Sequence, residues 1–222
     1  MGEWVPITGT THEGYLAQPA NDGGPGVLVL HAWWGLTPVF TSICDQLAAA
    51  GYVALAPSLF ADRQTADTIP GAEALRDSAD EETTVGPVVQ AATDQLRALP
   101  GVAATPLAVI GFSLGAYWAF DCSQRRPDDI GAVVVFYGAG EGEFSSARAA
   151  YLGHFAEQDP YEDLGYVREL ETAIRDAGRE VTFHVYPGAQ HWFVEPNRPE
   201  FAPAAAELAW ARTHDFLAAH LT

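Results

Sequence analysis

The sequence predicts an α/β fold in which a mostly parallel central sheet carries helices on both faces. Three observations point there. Short apolar runs recur, among them Val27-Leu28-Val29-Leu30, Leu107-Ala108-Val109-Ile110 and Val133-Val134-Val135-Phe136, as strands buried on both faces require. Between these runs lie stretches with apolar residues at helical spacing, so strand and helix alternate along the chain. The pentapeptide Gly111-Phe112-Ser113-Leu114-Gly115 stands where one such run gives way to one such helix.

Taken in order, residues 4–18 hold two short extended segments, an edge hairpin with Gly9 and Gly14 between its arms. Gly23–Gly26 is a loop, and residues 27–30 form the first core strand. The loop His31–Leu36 leads to a helix with Phe40, Ile43 and Leu47 on one face and Gly51 as its stop. Residues 52–56 are the next strand, ended by Pro57. Residues 58–86 are polar, acidic and the least regular, broken by Pro70, Gly71 and Gly86, with a short helix around Ala72–Ala79. They read equally as a cap over a site or as a solvated surface excursion. Val88, Ala92, Leu96 and Leu99 define a helix before the central strand, and another helix follows Ser113. Residues 131–137 and 150–155 are strands, the second leaving through Ala156-Glu157-Gln158-Asp159-Pro160. Leu164, Val167, Leu170 and Ile174 stripe a helix that Gly178 caps. Residues 181–186 are the last strand, with 187–191 as its exit loop. A closing helix from about Pro203 turns Ala209, Trp210, Thr213, Phe216 and Leu217 inward. One domain over residues 1–222 is expected, without repeat or linker.

Composition excludes several classes. The net charge is −18, and all eleven basic residues are arginine. Such a surface repels phosphate backbones and anionic lipid, so neither nucleic acid nor membrane is an expected partner. Either salt adaptation or a codon bias against lysine would account for it, and the sequence does not separate the two. No apolar run reaches the ~18 residues of a membrane span. Residues 1–6 have neither the basic nor the apolar part of a secretory leader. Cys44 and Cys122 fall in separate helices and read as buried hydrophobes, so the expected compartment is the cytoplasm. The oligomeric state is not legible in these patterns.

In open α/β sheets, functional groups gather just past the carboxyl ends of strands. Ser113, Asp159 and His191 each occupy such a place. A serine hydroxyl is a poor nucleophile at neutral pH, so a base must take its proton as it attacks. His191 is that base, and Asp159 fixes its tautomer and stabilises the imidazolium. The order Ser, Asp, His is that of α/β-hydrolases, and the flanking glycines suit the sharp turn that exposes such a serine. Glu157, Glu162 and Asp163 are the rival acids. Among the other histidines, His12, His214 and His220 look peripheral, while His154 and His184 sit inside strands. No metal site is expected, since no H-E-x-x-H or H-x-x-E-H spacing occurs. The oxyanion needs backbone donors, for which the N–H groups of Leu114 and Trp33 are the candidates. Gly138-Ala139-Gly140-Glu141-Gly142-Glu143 lacks the last glycine of a dinucleotide loop and would turn two glutamates toward a pyrophosphate. A nucleotide cofactor is rejected.

Several segments together resemble the dienelactone hydrolase family of the α/β-hydrolase superfamily: His31-Ala32-Trp33-Trp34-Gly35, Ala56-Pro57-Ser58-Leu59-Phe60, the Ser113 pentapeptide, Ala156–Asp159 and Gly188–Phe193. The resemblance spans nearly the whole chain. It implies the α/β-hydrolase fold and hydrolysis of small esters and lactones without a cofactor. Three departures stand out. The best-known members carry cysteine where this chain has Ser113, and glutamate where it has Ala32. Members acting on carboxylate-bearing lactones place an arginine shortly after the histidine, where this chain has Glu195. Arg63 or Arg76 would have to substitute. The expectation is therefore a serine hydrolase of small carboxylic esters or lactones that works through an acyl-enzyme and prefers neutral substrates. Trp33, Trp34, Phe112, Trp192 and Phe193 could line an apolar pocket, or simply pack the core. A thioesterase or small-peptide hydrolase would use the same three residues. A non-catalytic binding protein would be expected to have lost one of them.

Overall fold

The computed structural model describes residues 1–21, 23–102 and 105–221. Its tertiary contacts fall into two compact units, Met1–Leu107 and Ala108–Thr222.

The first unit has strands β1 (Glu3–Pro6), β2 (Glu13–Ala17), β3 (Gly26–Leu30) and β4 (Val53–Pro57), arranged β1-β2-β4-β3. β1 and β2 form the expected antiparallel edge hairpin, with Trp4 opposite Tyr15. Gly14 lies inside β2 and not in the turn. β2 meets β4 antiparallel, whereas β3 and β4 run parallel. β3 and β4 are buried along their whole length, which is why they read as unbroken apolar runs. Helix α1 (Pro38–Ala49) covers β2 and β4 with Phe40, Ile43 and Leu47 turned inward.

At the end of β3, fully buried His31 accepts the Leu59 N–H on Nε2 (2.9 Å) and donates from Nδ1 to the Ala32 carbonyl (2.6 Å). Burial holds its charged form down, to a pKa of about 4. His12 is buried too, contrary to the peripheral place expected of it, with Nδ1 2.8 Å from the Ser58 carbonyl oxygen. Two imidazoles thus pin the start of the 58–86 segment. That segment is more regular than its composition suggests. Thr68 caps helix α2 (Ile69–Ser78) by accepting the Gly71 N–H, and Pro70 sits in its first turn. Proline and glycine here open a helix where the sequence reads them as breaks. A π turn at Glu81–Val85 leads into α3 (Gly86–Ala98), which packs Val88, Val89, Ala92 and Leu96 toward β3 and β4.

The second unit is built on β5 (Leu107–Phe112, starting on the last residue of the first unit), β6 (Ile130–Phe136), β7 (Ala150–Gln158) and β8 (Val181–Gln190), in that order. β6, β7 and β8 are mutually parallel. Helix α4 (Leu114–Arg125) packs on β6, α5 (Leu164–Asp176) on β8, and α6 (Pro203–His220) on β6 and β7. Pro187 and Gly188, expected in an exit loop, are strand residues: β8 runs on to Gln190 after a register shift at Ala156/Gln158. β8 is the last strand in the order, where a proline's missing donor costs no ladder bond. In α6 the inward stripe is Ala206, Ala209, Thr213 and Leu217, while Trp210 and Phe216 are half-buried. Cys44 and Cys122 are both buried.

Candidate active site

β5 stops at Phe112 and α4 starts at Leu114, so Ser113 alone makes the turn. It does so at φ 50°, ψ −114°, a conformation costly for any residue with a side chain. The neighbours must be small. A Cβ on Gly111 would strike the Gly115 carbonyl oxygen and lie 2.7 Å from Ala116 Cα. A Cβ on Gly138 would lie 2.9 Å from Ser113 Cα. The Ser113 N–H donates to the Phe136 carbonyl at 3.0 Å, and the Ser113 carbonyl accepts the Ala116 N–H at 2.8 Å. Backbone bonds on both sides therefore hold the hydroxyl in place. Leu114 opens α4, so its N–H is among the first-turn donors that lack an intrahelical acceptor.

Ser113 Oγ lies 2.9 Å from His191 Nε2, and His191 Nδ1 lies 2.8 and 2.9 Å from the two oxygens of Asp159. The His191 and Asp159 side chains are 3% and 1% exposed, so water does not compete for these bonds. With Nδ1–H donated to Asp159, the Nε2 lone pair is left facing the serine hydroxyl. Such an arrangement can draw the proton from Ser113 as its oxygen attacks. Asp159 directly follows β7, and its Oδ1 also accepts the Tyr161 and Glu162 N–H groups at 2.9 and 3.1 Å.

The rival acids have other partners. Glu157 accepts the Gly188 N–H, and Asp163 caps α5 by accepting the Tyr166 N–H. Glu162 is lifted to a pKa of about 7, mainly by burial; the Ala139 N–H opposes this and the Asp159 charge adds to it. His154 lies between the Tyr186 and Thr213 hydroxyls at 2.8 and 3.0 Å, and burial holds its pKa well below the usual imidazole value. Among the described residues no cluster of three or more His, Cys, Asp or Glu could hold a metal ion.

The sequence model of the dienelactone hydrolase family matches residues 12–221. This chain belongs to the dienelactone hydrolase family. It is 29% identical over 232 residues to protein usf of Aquifex pyrophilus, across 100% of both chains. To carboxymethylenebutenolidase 1 of Cupriavidus pinatubonensis it is 28% identical over 236 residues, 98% of this chain and 97% of that one. Among solved structures, a dienelactone hydrolase-like promiscuous phosphotriesterase from metagenomic libraries has a TM-score of 0.87 at 20% identity, covering 100% of this chain and 98% of that one. That likeness shows the α/β-hydrolase fold.

In this family member the expected pocket residues have varied fates. Trp33 and Trp34, in the first unit, are buried and meet edge to face at 5.5 Å. Arg76 lies over the Trp33 ring at 5.9 Å and pairs with Asp77 at 2.8 Å, while Arg63 pairs with Glu13 at 3.1 Å. Both candidate cations thus already have carboxylate partners. Phe112, instead of lining an open pocket, is fully buried and stacked on Phe136 at 4.8 Å. Phe193 is equally buried, between Tyr137 and Tyr186. Trp192 sits edge-on to His191 at 5.0 Å. The exposed aromatic beside the histidine is Tyr161, which sequence reasoning missed. Its signal was its place, two residues past Asp159 in the same turn.

Glu195 is the second surprise. It is 1% exposed and accepts the Tyr137 hydroxyl at 2.8 Å, with Arg198 Nε 4.0 Å from its other oxygen. Burial raises its pKa to about 7, against the opposing pull of Tyr137 and Arg198.

Proposed function

We propose that this protein is a serine hydrolase that cleaves small carboxylic esters or lactones through an acyl-enzyme on Ser113. The observation that carries the reading is the unbroken hydrogen-bonded chain from Ser113 through His191 to Asp159, anchored on a strained strand-to-helix turn. In this reading Ser113 Oγ attacks the carbonyl carbon as its proton passes to His191 Nε2. The oxyanion meets the Leu114 N–H at the start of α4. Collapse breaks the bond to the leaving alkoxide, which takes the proton from His191. Water then repeats the sequence on the acyl-enzyme and releases the acid. Asp159 keeps Nδ1 protonated and balances the transient imidazolium. The name carboxymethylenebutenolidase, borne by a relative aligned along nearly the whole chain, favours esters and lactones over thioesters or peptides. A cytoplasmic location is in keeping with Cys44 and Cys122 serving as small buried side chains.

The test is the reaction with para-nitrophenyl acetate. The expected result is a burst of chromophore equal to the enzyme present, with an acetyl adduct mapped to Ser113. Ser113→Ala abolishes the burst and lowers kcat by about 10⁴-fold or more. Near-normal turnover by that variant would overturn the proposal.

A further inference from the structure

We propose that Tyr137 and Glu195 are positioning residues, whose hydrogen bond seats the His191 imidazole against Ser113. This rests on the reading of His191 as the base for Ser113.

The argument begins at the end of β6. Phe136, its last residue, accepts the Ser113 N–H and so fixes the nucleophile's backbone. Tyr137, the next residue, donates its own N–H to the His154 carbonyl at 2.7 Å and sits at φ 38°, a conformation uncommon for a bulky residue. The same short stretch therefore holds the serine and aims the Tyr137 ring. That ring lies 4.9 Å from the His191 ring and 5.8 Å from Phe193. Tyr161 lies at the same 4.9 Å from His191, so two tyrosine rings restrict the imidazole.

The Tyr137 hydroxyl then reaches past the imidazole to Glu195, four residues beyond His191 on the loop that carries it. This loop is tightly folded. The Glu195 N–H donates to Trp192 O at 2.8 Å, the Arg198 N–H to Glu195 O at 3.0 Å, and the Ala202 N–H to Phe193 O at 3.0 Å. The Tyr137–Glu195 bond ties this loop to the strand end that fixes Ser113. One covalent neighbourhood thus sets both ends of the Ser113–His191 hydrogen bond.

A buried carboxyl is a costly way to fill space, and an apolar side chain of similar volume would serve packing as well or better. Its oxygen does supply a strong acceptor in a fixed place. Tyr137 is fully buried, so its hydroxyl would otherwise need another acceptor.

The experiment uses the full chain and the pre-steady-state acylation rate with para-nitrophenyl acetate, beside thermal melts that report folding. Tyr137→Phe removes the donor and Glu195→Leu the acceptor. Each is expected to slow acylation by about 10- to 100-fold with KM changed by less than about threefold, because misplacement of the base affects chemistry and not binding. The double variant should be no slower than the worse single one, since both break the same bond. Glu195→Gln keeps an acceptor and should recover the rate to within about threefold of wild type. A purely structural role would lower the melting temperature while leaving the acylation rate of the folded protein intact. Acylation by Tyr137→Phe at the wild-type rate, or equal losses in Glu195→Gln and Glu195→Leu, would overturn the inference. Should Tyr137→Phe fail to fold, the Gln and Leu pair carries the test alone. If the wild-type enzyme forms no acyl-Ser113, it is the proposed function that fails. If wild type acylates and the variants match it, only the positioning role fails.

Discussion

Asp159→Asn is the substitution whose effect the geometry determines most closely. Asp159 Oδ1 is held by the N–H groups of Tyr161 and Glu162, and both oxygens face His191 Nδ1. An asparagine would keep its carbonyl oxygen on those two backbone donors and turn its amide NH₂ toward His191. Nδ1 must then accept, the ring proton moves to Nε2, and Nε2 becomes a donor to Ser113 Oγ. The base is present but holds its proton on the wrong nitrogen. Water cannot rescue it, because the Asp159 side chain is 1% exposed and that of His191 3%. The expected loss is about 10⁴-fold in kcat, as for an asparagine at this place in other triads. That corresponds to about 5 kcal/mol of transition-state stabilisation. The turn bonds survive, so stability should fall by no more than about 1–3 kcal/mol. Acylation kinetics with para-nitrophenyl acetate, with urea unfolding as control, measure both quantities. A kcat within about tenfold of wild type in a folded Asp159→Asn protein would refute the tautomer argument.

Buried groups should give opposite stability slopes in acid. His31 is depressed to a pKa of about 4, so between about pH 6.5 and pH 4 the unfolded chain binds the proton and the native protein does not. The stability of wild type relative to His31→Gln should therefore fall by about 3 kcal/mol as pH drops through that window; an unchanged difference in urea titrations speaks against it. Glu195 is raised to about 7, so its proton favours the native state at low pH and that contribution is lost as pH rises. Relative to Glu195→Gln, wild type should lose about 3 kcal/mol from about pH 4.5 to pH 7, and a slope of the other sign would contradict the burial argument. For substrates, the net charge of −18 predicts a kcat/KM for a methyl ester about tenfold above that of the free acid at low salt, with the gap narrowing as salt is added. An acid that outperforms its ester would show that a cation serves the site.

What could be read from the sequence depended on how local each signal is. β3, β5 and β6 announce themselves because both faces are buried, which leaves no polar alternation. Ser113, Asp159 and His191 stand out in the sequence because each follows the end of a strand, and hydrogen bonds join the three side chains. The sequence pattern ends β8 at Tyr186 because Pro187 and Gly188 look like a turn, and its outermost place in the sheet makes them admissible as strand residues. Helix α2 buries Ala72 alone, so it has little apolar periodicity to detect. The bond between Tyr137 and Glu195 joins residues 58 positions apart, and no spacing rule reports it. Glu195 itself was visible as an acid among aromatics, but its direction was not: it turns inward to Tyr137.

The backbone at Ser113 bears on how such a protein changes over generations. A glycine at 113 would adopt φ 50° freely, relieving a conformational cost of about 1–3 kcal/mol against the smaller entropy penalty of glycine. The chain without the hydroxyl would therefore be the sturdier one. Under selection for folding alone, the backbone at this turn would favour glycine over serine.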